Sequence, residues 1–139
     1  MSTIVFDSFK LNYARGTYDL SATDFYIALV TSDINDITNL RSKTNWSELS
    51  ACEVSGDGYT AGGKLLSGKT VTLNSTTHKV KWDASDVTWN NSSITARGAV
   101  IYTSGTNDLV CFQDYGTDKT SDVGPFIHSF NVNGILNIS

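Results

Sequence analysis

The chain has 139 residues, a net charge of −4 and 40% apolar residues, with 10 Lys and Arg against 14 Asp and Glu. That length suits one self-sufficient core, since a domain of this size buries about 68–70% of its unfolded surface. Ser and Thr number 17 each and 12 Asp stand against two Glu, a choice that favours turns and strands and argues against a helical bundle, a coiled coil or a disordered tail.

The acidic excess is spread evenly along the chain and leaves no basic face, so strong nucleic-acid binding is not expected. The first residues lack the basic and apolar regions of a signal peptide, and no apolar run approaches membrane-spanning length. The expectation is a chain made in a cytoplasm, with no membrane contact. Cys52 and Cys111 sit in otherwise ordinary segments and are read as buried free thiols.

In chain order, Val5, Phe6, Phe9 and Tyr13 recur at helical spacing and Gly16 follows, which predicts a short amphipathic helix over residues 4–15. Residues 25–31 (Phe-Tyr-Ile-Ala-Leu-Val-Thr) are apolar on both faces and predict a central strand. Residues 32–50 are polar and turn-rich, and Asn45 with Glu48 has the spacing of a capping box. Period two takes over from Thr70. Val71 and Leu73 face one way, Val80 and Trp82 follow after a turn, and a β-hairpin results. Val87 and Trp89 make another short strand, and residues 95–103 and 108–115 a further pair. Phe126, His128, Phe130 and Val132 alternate before a turn at Asn133-Gly134. The whole predicts an antiparallel β-sandwich or barrel, a single mainly β domain over residues 1–139 with one short N-terminal helix.

Motifs that suggest chemistry fall short of it. Gly58 to Lys64 matches the first seven positions of a phosphate-binding loop, but Leu65 stands where the metal-binding hydroxyl belongs. The glycines are read instead as supplying turns with positive φ. Asp83 and Asp86 are close in sequence, yet a calcium loop needs more oxygen ligands and a terminal bidentate acid. His78 and His128 have no metal-ligand spacing around them, and His128 is read as a core histidine satisfied by a hydrogen bond. No nucleophile elbow occurs. These patterns predict no catalytic, metal or cofactor site. Trp82 and Trp89 are in phase with aliphatic neighbours and are expected in the core rather than in a sugar-stacking platform.

Several stretches together resemble a family of small structural proteins of tailed bacteriophages. They are Gly58-Tyr-Thr-Ala-Gly-Gly63, Trp82-Asp-Ala-Ser-Asp-Val-Thr-Trp89, residues 93–102 (Ser-Ile-Thr-Ala-Arg-Gly-Ala-Val-Ile-Tyr), residues 109–116, and Gly134 to Ile138. The likeness covers most of residues 4–139. Pro125 departs from the family pattern at the start of a late strand. The resemblance implies a virion component and no enzyme. Within that class the expectation is a capsid decoration (cement) protein, a homotrimer that binds the major capsid protein of the assembled shell. The rival expectations are a tail, baseplate or head-fibre subunit, and a carbohydrate- or receptor-binding module.

Recognition usually rides on loops held by a rigid scaffold. The polar segment 32–50 and the glycine loop 55–63 are therefore the expected contact loops, with Asn35, Asn39, Arg41, Trp46, Asp57 and Tyr59 as contact residues. In the rival receptor-binding expectation, Trp46, Tyr59 or another exposed aromatic contacts host glycans. Residues 33–44 are expected to be dispensable for folding.

Overall fold

The computed structural model describes all 139 residues, and it is mainly β. Strands β1 (Ser2–Val5), β2 (Phe25–Val30), β3 (Lys64–Leu65), β4 (Thr70–Asn74) and β5 (Lys79–Asp83) are followed by β6 (Val87–Ser92), β7 (Thr95–Thr103), β8 (Leu109–Thr120), β9 (Gly124–His128) and β10 (Leu136–Ile138). The single α-helix, α1, spans Asp7–Ala14. A five-stranded antiparallel sheet runs in the order β1-β8-β7-β2-β3, a three-stranded sheet runs β10-β5-β4, and β6 pairs with β9. None of these sheets closes into a barrel.

The five-stranded sheet is buried on both faces, which is why β2 reads as apolar throughout. Phe25, Ile27, Leu29, Ala99, Ile101 and Cys111 face the two smaller sheets, where Trp82, Val87, Trp89 and Phe126 complete a sandwich core. Ala28, Val30, Val100, Tyr102 and Phe112 face the opposite way and lie beneath Ile34, Trp46, Leu49 and Cys52. The polar segment after β2 is thus a roof over the second face, built from short 3₁₀ turns. Its one clear sequence signal is realised: Asn45 Oδ1 accepts from Ser47 N–H at 3.1 Å, and Glu48 Oε1 accepts from Asn45 N–H at 3.2 Å.

The predicted helix over residues 4–15 is corrected at its start. Ser2–Val5 pairs as an edge strand with β8, matching Ile4 with Phe112 and Val5 with Cys111. Phe6, in extended conformation, is the cap from which α1 begins. Phe6 and Phe9 consequently enter different cores, one on each face of the sheet. A non-local partner has overridden a local helical spacing. The late strand is also shorter than its alternation suggests. It ends at His128, Phe130 N–H is taken by Asp86 Oδ1 at 2.9 Å, and Val132 is 85% exposed. Pro125 is tolerated because β9 pairs on one side only. Conversely, β8 runs on to Thr120, beyond residue 115, because its end pairs with Thr95 and Ala96 at the start of β7.

Candidate functional site

The glycine motif is a structural clasp. Gly58, Gly62 and Gly63 all have positive φ, and Gly63 lies so close to β2 that a Cβ there would overlap the Ile27 carbonyl. The loop is tied down by Glu53. Its Oε2 accepts from the Tyr59 hydroxyl at 2.6 Å and from Gly62 N–H at 2.8 Å. The Tyr59 oxygen accepts from Leu29 N–H at 2.9 Å, and the Tyr102 hydroxyl donates to Gly62 C=O at 2.6 Å. Burial, then the hydrogen bond to the Glu53 carboxylate, drive the Tyr59 phenol far above its usual range. Burial likewise raises Tyr102 to about 12. Both phenols stay protonated and both serve the loop.

Two of the six expected contact residues are therefore reassigned. Trp46 is 7% exposed and stacks on Tyr102, and Tyr59 is spent in the Glu53 network. Neither indole nor phenol is presented for a sugar to stack on. Trp82 and Trp89 are fully buried as expected. Asp57 is exposed at its side chain, while its carbonyl accepts from Ser93 N–H at 3.0 Å. Asn35, Asn39 and Arg41 are exposed on the roof. They are mounted firmly, because Ile34 is fully buried and Ile37 and Leu40 pack on the same core. This overturns the expectation that residues 33–44 are dispensable. Removing them would strip cover from the second face of the sheet.

The remaining polar groups are largely engaged within the fold. Asp83 Oδ1 accepts from Ala84 N–H at 2.9 Å. Asp108 Oδ2 accepts from the Tyr18 hydroxyl at 2.7 Å. Burial and that carboxylate raise Tyr18 to about 12. No three His, Cys, Asp or Glu side chains gather at metal-binding distance. His128 is fully buried between the Tyr115 hydroxyl, 2.6 Å from Nδ1, and Gln113 Oε1, 2.7 Å from Nε2. An amide oxygen only accepts, so Nε2 carries the proton and Nδ1 accepts from Tyr115. Desolvation lowers His128 to about 4, against a smaller opposing effect of Asp86, while Lys119 adds to the lowering. Both cysteines are free and buried, and burial raises Cys111 to about 12, an unreactive state.

Four open features remain. A polar hollow of about 420 Å³ lies beside the β4–β5 hairpin, lined by Thr72, Leu73, Asn74, Lys79, Lys81 and Asn133 among others. A cleft of about 570 Å³ between Glu53–Ser55, Ser93–Thr95 and Thr120–Asp122 is lined by hydroxyls and contains no aromatic ring. Between α1 and the three-stranded sheet lie two adjoining, mainly apolar hollows. One, of about 340 Å³, is bounded by Phe9, Tyr13, Leu20, Leu136 and Ile138. The other, of about 290 Å³, is bounded by Tyr13, Tyr18, Leu20 and Val71, with Asp19 and Ser21 at its polar rim. Sequence reasoning missed this apolar side, because it forms only where the helix, the hairpin and the C-terminal strand meet. The signal that points to it is the pair Val71 and Leu73, too apolar for a solvated hairpin. Compared with protein-family models, curated proteins and solved structures, the chain gives no match.

Proposed function

We propose that the protein is a structural component of a bacteriophage virion, and that it acts as a capsid decoration protein binding the assembled shell. What carries this reading is the rigid mounting of a polar contact surface: Asn35, Asn39 and Arg41 stand exposed on turns whose other side is pinned by buried Ile34. Contact residues held this way lose little entropy on docking. The sequence resemblance to small phage structural proteins supports the same class, and the engaged polar groups described above fit a scaffold better than a reacting centre.

The mechanism follows from mass action. A protein that binds only the assembled shell lowers the free energy of that state and makes its disassembly harder. The partner is the major capsid protein, met through the roof over the second core. The reading is non-enzymatic and needs no cofactor.

Copy number in purified particles tests it. Hundreds of copies per virion, lost together with the shell, support decoration. A few dozen at most, retained on isolated tails, would reassign the protein to the tail or baseplate.

A further inference from the structure

The three-stranded sheet β10-β5-β4 has one polar and one apolar face. The register lines up Val71, Trp82 and Leu136 in one row across the sheet and Leu73, Val80 and Ile138 in another, so these six side chains share one face. Trp82 is buried at the inner row, where its Nε1–H donates to Leu20 C=O at 3.0 Å. Moving outward along the sheet the cover stops: Val71 is 44% exposed and Leu73 69%.

Strand β4 is also a free edge. It pairs with β5 alone, all five of its residues are exposed, and none of its backbone groups bonds to any other part of the chain. Natural proteins blunt such edges with charge, proline, bulges or brevity. Most of the other edges are blunted, and β6 carries a bulge between Trp89 and Ser92. β3 has two residues including Lys64, β10 has three and β9 carries Pro125, while β1 has none of these devices but keeps Ile4 and Val5 half-buried against the cores. β4, Thr-Val-Thr-Leu-Asn, carries no charge, no proline and no bulge.

We propose that β4 is a self-association surface whose occupant is β4 of a second copy of this chain, paired antiparallel about a twofold axis at Thr72. In that register Thr72 meets its own counterpart, Thr70 meets Asn74, and Val71 meets Leu73 of the other copy. The apolar faces of the two sheets then become continuous. Directly opposed side chains have Cβ atoms about 4.5–5.5 Å apart, so Leu73 of the second copy arrives beside Val71. That is the edge of the 290 Å³ hollow bounded by Tyr13, Tyr18 and Leu20. The edge, the protruding leucine and the hollow that receives it coincide in one register, and twofold symmetry fills both hollows at once. This self-complementarity selects a second copy over an unrelated strand. Val71 and Leu73 alone do not supply the roughly 800 Å² per partner of a stable interface, so backbone pairing along the edge adds to the contact. The pairing does not rest on the capsid reading, and it replaces the threefold assembly expected from the family resemblance with a twofold one.

The test uses the full chain in sedimentation equilibrium with cysteine cross-linking. The expected result is a dimer, weakened at least tenfold by Leu73→Lys, with circular dichroism and melting unchanged because Leu73 projects into solvent. Thr72→Cys is expected to give a disulfide-linked dimer on oxidation and Asn74→Cys is not, since only position 72 meets itself. The buried native thiols do not compete. A wild-type monomer at millimolar concentration, a trimer indifferent to Leu73→Lys, or equal cross-linking at positions 72 and 74 would each overturn the pairing. Shell binding by the Leu73→Lys chain, measured separately, reports on the decoration reading alone.

Discussion

Trp46 lies flat on Tyr102, with ring centroids 5.0 Å apart and planes within 1° of parallel. The pair joins the roof to the middle of the five-stranded sheet, and Tyr102 in turn holds the glycine loop through its bond to Gly62. Trp46→Ala is expected to cost about 3–5 kcal/mol, the usual range for a buried tryptophan. Urea unfolding of the wild type and variant measures it. A change below about 1 kcal/mol would mean that the indole is a surface group after all.

The buried His128 makes stability depend on pH in a defined direction. Its folded value of about 4 lies below the ordinary 6.5, so between those limits the unfolded chain holds a proton that the folded chain does not. Stability is full above pH 6.5 and falls as the pH drops towards 4, by about 3 kcal/mol. His128→Gln should remove this part of the slope. Denaturant midpoints at pH 7 and pH 4.5 for both chains, taken as a difference, isolate it from the carboxylates.

Gly63 is required by geometry. Its φ is +82° and its α-carbon faces the Ile27 carbonyl. Gly63→Ala is expected to destabilise by about 2–4 kcal/mol, seen as a melting temperature lower by on the order of 10 °C. Gly105→Ala supplies the contrast: its φ is also positive, but open space surrounds it, so the loss there should be smaller.

If the roof docks the shell as proposed, docking and folding separate there. Asn35→Ala and Arg41→Glu alter exposed side chains and should change stability by no more than about 0.5 kcal/mol, while weakening shell binding at least tenfold. Asn39 differs, because its φ of 55° is left-handed. Asn39→Ala adds backbone strain and Asn39→Gly does not. Binding isotherms on shells, beside melting curves, check both halves.

Much of the fold is legible from local pattern. The two-sided apolar run of β2, the period-two hairpin β4–β5, the Asn45–Glu48 box and the turn glycines each depend on neighbours a few residues away. What was not legible depends on distant partners. The strand Ser2–Val5 exists because β8 lies beside it, and the helical spacing of Val5 and Phe6 concealed it. Trp46 looked like a surface aromatic in a polar stretch until Tyr102 arrived beneath it. Tyr59 reads as a contact residue until Glu53 and Leu29 capture its hydroxyl. Of the expected contact residues, the four polar ones are exposed and the two aromatics are buried or engaged. Side-chain size is the physical reason: a ring that can be buried on a sheet gains more there than in water.

The most direct measurement of the proposed decoration role is saturation binding of the purified chain to tail-free, genome-free shells of the phage proposed to encode it. Saturation at a fixed number of copies per capsomer, with a shell that withstands more heat once saturated, is the predicted result. No binding to intact shells, with the protein recovered on isolated tails, would contradict it.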